Sequence, residues 1–250
     1  MIQKRTYGLF LFFLILINGY TQDFNYPNNQ DFETWSAGKI RYILSEKLRV
    51  DIGGQFRMKE NSTTFDRIFT QIEGKYLISD KKSFDQHLLT IGTRYLFMND
   101  NVGNTEFENH IRFHIDYNYK IDSNPKDPFS SNYRIRYQIR NELGRTKDEG
   151  DYNSHDIRFR WKGRYNIKSW KLDPEIFFET FHHYQTGALN GFTKYRMGIG
   201  TSYKFNKEQR ISICYIKEKE RSYWNPKKIR IIRITYMHTI RKNTDKKEQL

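Results

Sequence analysis

Tyr133-Arg134-Ile135-Arg136-Tyr137-Gln138-Ile139-Arg140 alternates apolar and polar residues without a break. A period of two is the mark of a strand, because successive side chains point to opposite faces. Residues 133–140 therefore form a ribbon with one apolar face and one face of arginine and glutamine. The same rhythm recurs on both sides. Ile157, Phe159, Trp161 and Tyr165 interleave with Arg158, Arg160, Lys162 and Arg164. Ile111, Phe113, Ile115, Tyr117 and Tyr119 interleave with Arg112, His114, Asp116 and Asn118. Leu48, Val50, Ile52, Phe56 and Met58 interleave with Arg49, Asp51, Gln55 and Arg57.

Carried along the chain, the pattern predicts strands over about 34–44, 48–59, 65–78, 87–97, 106–121, 131–142, 156–166, 172–184, 195–205, 210–219 and 229–240. Most are far longer than the roughly five or six residues usual in soluble sheets. Their length suits the roughly 9–11 residues of a membrane-crossing strand. Five connections read as short (45–47, 79–86, 122–130, 167–171, 206–209), and they alternate with longer or more polar ones (60–64, 98–105, 143–155, 185–194, 220–228). The expected fold is all-β, a single up-and-down antiparallel transmembrane barrel of 10–12 strands over residues 22–240. Single-chain bacterial barrels usually have an even number of strands. Either residues 22–32, which contain Pro27, add one poor strand or one of the eleven lies outside the wall.

Composition agrees. Of 250 residues, 16% are aromatic, too many for a disordered chain. Mean hydropathy is −0.87, which excludes a bundle of membrane helices. One cysteine, Cys214, excludes a disulfide framework and a cysteine-rich zinc site. Residues 1–21 read as a secretory signal: Lys4 and Arg5, the apolar run Leu9–Ile17, then small Gly19 and Thr21 before a cut at Gln22. Residues 241–250 form a charged tail. Strands entering a short connection end in tyrosine, at Tyr42, Tyr76, Tyr119, Tyr165 and Tyr203, with Tyr236 in the last strand. The mean step is about 39 residues, one hairpin per repeat. A tyrosine ring at one level suits a membrane–water boundary, whereas the plainer alternative is the strand propensity of tyrosine.

Three stretches carry a resemblance to a family. They are Asp31-Phe32-Glu33-Thr34-Trp35, the strand Tyr195–Lys204, and Pro174 followed by Glu179-Thr180-Phe181. Together they resemble domain of unknown function 2490, a family of expected outer-membrane β-barrels common in Bacteroidota. The resemblance implies the fold and the outer membrane of a Gram-negative bacterium. It carries no activity and no catalytic residues. The chain departs from the family in its Lys and Arg content and in its charged tail, where a typical barrel ends in an aromatic residue.

The formal charge is +14. Arg134, Arg136, Arg140, Arg158, Arg160, Lys162 and Arg164 share the polar faces of two neighbouring strands and form a candidate anion-binding wall of the lumen. Like charges facing each other on paired strands are destabilising. Glu73, Glu108, Asp116, Glu142, Glu175 and Glu179 are available to compensate, so an ion-paired filling is the plainer alternative. His110 and His114 share a face, but the arginines around them argue against a metal. Adjacent His182 and His183 point to opposite faces. Ser154-His155 reads as part of a polar loop with Asp148, Glu149 and Asp151, without the contacts a nucleophile needs. No catalytic residue, metal or cofactor is assigned. Export argues against nucleic acid as a partner. Outer-membrane lipid and small anionic solutes are the expected partners, with no oligomeric state implied. The expected role is a small pore or solute-binding barrel with an anion-preferring lumen. A non-conducting structural or adhesion barrel, a lipid-modifying enzyme and a soluble periplasmic barrel stay open as alternatives.

Overall fold

The computed structural model describes residues 29–79, 85–99, 107–122, 128–144, 153–167, 171–188, 190–221 and 226–241. The signal segment 1–21 and tail residues 242–250 lie outside them. Eleven strands follow in chain order: β1 (Gln30–Ile43), β2 (Leu48–Lys59), β3 (Thr64–Leu77), β4 (Asp85–Asn99), β5 (Phe107–Asp122), β6 (Phe129–Glu142), β7 (Ser154–Tyr165), β8 (Leu172–Tyr184), β9 (Gly191–Lys204), β10 (Gln209–Glu220) and β11 (Lys228–Arg241). Each strand predicted from the sequence is present. The ring closes on itself with no helix among the described residues.

The expectation of an even count is corrected: the wall has eleven strands. Neighbours alternate in direction, so an odd ring must contain one parallel pair. That pair is the seam between β1 and β11, which runs in register from Gln30↔Lys228 to Ile43↔Arg241. No twelfth strand is needed, because Gln30–Phe32 lengthen β1 instead. The seam makes a direct prediction. Ala37 and Thr235 are register partners and both face the lumen. A cysteine pair at these positions, with Cys214 changed to serine, should oxidise to a disulfide in the folded protein. Diamide treatment should then give an unfolded-gel mobility shift reversed by dithiothreitol. An unshifted pair would contradict the parallel seam.

The alternation sorts the side chains as expected. Ile52, Ile91, Phe113, Ile135, Ile199 and Ile213 are exposed outside, whereas Asp51, Glu73, Asp116, Arg136 and Glu179 are buried inside. β-branched and aromatic residues suit such half-covered pleated surfaces. The six repeat tyrosines face outward toward one end, with Tyr236 set five residues inside the end of β11. A second exterior aromatic group lies toward the other end. There Phe65 is 5.5, 6.1 and 6.1 Å from Phe56, Phe97 and Phe107, and Phe97 stacks on Phe107 at 4.7 Å.

The expected asymmetry of connections is weaker than the sequence suggested. Only 143–153 stands out in length. Residues 60–63 close in four positions because Glu60, Asn61 and Ser62 adopt left-handed φ of 55°, 57° and 63°. The Asp31 carboxylate helps hold them by accepting from the Glu60 and Asn61 amides at 3.2 and 3.0 Å.

Candidate functional site

The interior is crowded, as side chains fill the space in a narrow barrel. Two inward glycines make room for this: a Cβ on Gly92 would strike the His114 ring, and one on Gly198 would strike Phe177. Against the seam lies an apolar cluster of Trp35, Phe177, Cys214, Ile216, Ile229 and Ile231. A smaller one, Phe69, Leu96 and Met98, lies on β3 and β4. Around them run charged side chains held by carboxylates.

Asp51, 1% exposed, accepts both nitrogens of the Arg41 fork at 2.9 and 3.0 Å and the Lys75 ammonium at 2.9 Å. Lys39 lies 3.5 Å away. Glu73 meets Lys75 at 2.7 Å, His114 at 3.2 Å and Arg136 at 3.6 Å. Asp116 takes Arg136 in a two-bond fork at 2.6 and 2.7 Å. Such planar pairs are the stronger kind of ion pair. Glu218 holds Arg196, and Lys194 at 3.0 Å.

The seven candidate residues divide. All line a cavity of about 1480 Å³. Arg134 and Arg158 donate to one oxygen of Glu179, at 2.5 and 2.8 Å. Arg136 belongs to Asp116. Lys162 and Arg164 share Glu175 at 2.6 and 3.1 Å. Arg160 has no ion pair or hydrogen bond among the described residues, and its buried Nε lacks a partner. Arg140 faces Arg112 on one side and Ser154 on the other. The like-charge pairs foreseen from the sequence exist in register, Arg134 opposite Arg160 and Arg136 opposite Arg158. Glu73, Asp116, Glu175 and Glu179 compensate, with Asp51, Asp156 and Glu218 added.

Sequence reasoning missed three arginines as site residues. Arg57 donates to the Gln55 amide oxygen at 2.9 Å and lies 3.7 Å over the Trp35 ring. Arg94 donates to the Gln71 amide oxygen and lies 3.8 Å over Phe69. Arg112 has no acceptor among the described residues. Their signal was parity with the other lumen residues. Likewise Trp35 shares parity with Lys39 and Arg41, and Phe177-Phe178 is apolar on both faces of β8.

The histidines fall apart as a common metal site. His110 Nε2 lies 2.9 Å from Glu108, whereas His114 is bound to Glu73. Glu108, His110 and Glu142 bring donor atoms within 4.8 Å of one another at one barrel end. Arg112 and Arg140 stand beside them in the wall, a cationic setting that opposes a metal ion. His183 faces in to Asp156 at 2.8 Å, whereas His182 faces out against Phe159 and Phe192. The expected loop position of Ser154-His155 is corrected: both belong to β7. Strand geometry turns Ser154 into the lumen and His155 outward to Tyr137 Oη at 2.8 Å, so they cannot act as a pair. Asp148, Glu149 and Asp151 lie outside the described residues.

Altogether 25 lysines and arginines line the cavity, against 10 aspartates and glutamates. The carboxylates neutralise part of the wall and leave a net positive interior. The cavity touches Glu46 and Lys47 near one end and Arg221 and Lys227 near the other. At 1480 Å³ it exceeds the roughly 300–1,000 Å³ of a single small-ligand pocket. Such a space can attract anions and reject cations.

No curated protein matches the chain closely enough to count as a relative. Residues 32–225 match the family described as Protein of unknown function (DUF2490). That span runs from Phe32, the third residue of β1, to the connection before β11, and so covers ten of the eleven strands almost completely. Of the residues that suggested the resemblance, Glu33, Trp35, Glu179, Phe181, Arg196 and Ser202 turn inward to line the cavity. With most of its length matched and its barrel closed, the chain belongs to the DUF2490 family.

Proposed function

We propose that the protein is an outer-membrane β-barrel of a Gram-negative bacterium, exported by its cleaved signal segment, whose arginine-rich lumen passes or holds small anions. The membrane part rests on the exterior. Exposed isoleucines and phenylalanines cover the wall, and aromatic groups lie toward both ends. A closed ring satisfies its backbone internally, as a lipid setting demands. Apolar surface this extensive would be a liability in water. The functional part rests on one observation, the excess of cations over carboxylates around the cavity.

Sized-solute swelling of liposomes tests it. Vesicles carrying the refolded protein should swell faster in small organic anions than in cations of equal size. Equal rates would overturn the anion preference. A second reading, a non-conducting barrel, is favoured by the ion pairs of Asp51, Glu73, Asp116 and Glu179, which cross-link β1 to β3 and β5 to β8. Vesicles that swell in no solute while holding folded protein would select that reading.

A further inference from the structure

The unneutralised charge is not spread evenly. Followed by register across the sheet, inward positions form continuous rows. The row Arg134, Arg160, Glu179, Arg196, Glu218 mixes signs. The row from Lys39 through Gln71, Arg94, Arg112 and Arg140 to Ser154 contains no carboxylate. Lys39 at its end reaches Asp51 and Glu73 in the next row, at 3.5 and 3.7 Å. Arg94 has no such relief, and Arg112 has only Asp156 of the next row as a carboxylate neighbour among the described residues, with no ion pair or hydrogen bond to it. The two arginines stand directly opposite each other, where like charges repel. Around Arg94 the strongest charged neighbours are Arg112, Arg136, Arg57 and Arg158, all cations.

Three further observations point at a ligand. The buried Nε of Arg112 has no partner among the described residues. Ser154, 2% exposed and lining the same cavity, has a hydroxyl with no partner among the described residues. Arg57 and Arg94 are held over Trp35 and Phe69, so their planes are fixed before anything binds. Phe69, Leu96 and Met98 supply an apolar surface beside Arg94, and all three touch the cavity.

We propose that Arg94 and Arg112, assisted by Arg57, bind a small organic carboxylate, with its acid group across the two guanidiniums and its apolar part on Phe69, Leu96 and Met98. A planar carboxylate matches the guanidinium fork and supplies the negative charge this row lacks. The proposal rests on the anion-preferring lumen and gives it a site.

Calorimetric titration of the refolded full-length protein with benzoate tests it. Benzoate should bind saturably and at least about tenfold more tightly than acetate or inorganic phosphate. Arg94→Gln with Arg112→Gln should weaken benzoate by at least about tenfold. Lys207→Gln, which removes an exposed charge in the turn between β9 and β10, outside the lumen, should change it by less than about twofold. Should the double variant fail to fold, Arg112→Lys keeps the charge but loses the fork, and should also weaken benzoate. Absence of saturable binding, equal weakening in all variants, or phosphate binding as tightly as benzoate would overturn the site. If anion-selective swelling survives that failure, the broader lumen reading stands without this site. If swelling selectivity is also absent, both fall.

Discussion

Replacing Asp51 with alanine is expected to destabilise the folded barrel by about 3–5 kcal/mol, the usual cost of removing one partner from a buried ion pair. The carboxylate is 1% exposed and is shared by Arg41, Lys75 and Lys39. Those cations come from β1 and β3, on either side of the strand that carries Asp51. Its loss leaves them facing one another with only Glu73 nearby, and Glu73 already holds His114 and approaches Arg136. Urea unfolding in lipid vesicles, followed by far-ultraviolet circular dichroism, measures the effect. A loss below about 1 kcal/mol would place the pair among exposed, solvent-screened ones and contradict the described burial.

Trp35→Ala should have a comparable effect, about 3–5 kcal/mol, by opening a cavity in the cluster behind the seam. Trp35 packs with Ile229 and Ile231 of β11, and Ile231 is fully covered. The indole also lies under Arg57 at 3.7 Å and near Arg196 at 5.0 Å, and its Nε1 donates to Glu33 at 2.8 Å. The substitution thus removes apolar contact and frees two guanidiniums together. Trp35→Phe keeps a ring face and should recover most of the loss. The same dichroism experiment decides. An alanine variant as stable as the parent would mean that the interior cluster does not brace the seam.

Strand positions and the facing of each side chain were legible in the sequence, because period two is local: parity alone put Arg134, Arg136, Arg158 and Glu179 on one side of the wall. Three things were not legible, each for a physical reason. The parallel seam joins residues 198 positions apart, as in Gln30↔Lys228, and nothing local marks it. The ion-pair partners depend on register between strands, so Asp51 read as one polar position among many although it anchors three cations. The third was the location of the unneutralised charge. Seven cations crowded on β6 and β7 drew attention, yet most of them have carboxylate partners on the flanking strands β5 and β8. Arg57, Arg94 and Arg112 are isolated in sequence and become a group only when the barrel closes.

Single-channel recording of the refolded protein in a planar bilayer under a potassium chloride gradient tests the central claim most directly, because the reversal potential reports the sign of the charge along the path. With 25 cations and 10 carboxylates around the cavity, it should lie on the chloride side of zero. Inserted, folded protein that prefers potassium, or carries no current at all, would contradict an anion-passing lumen.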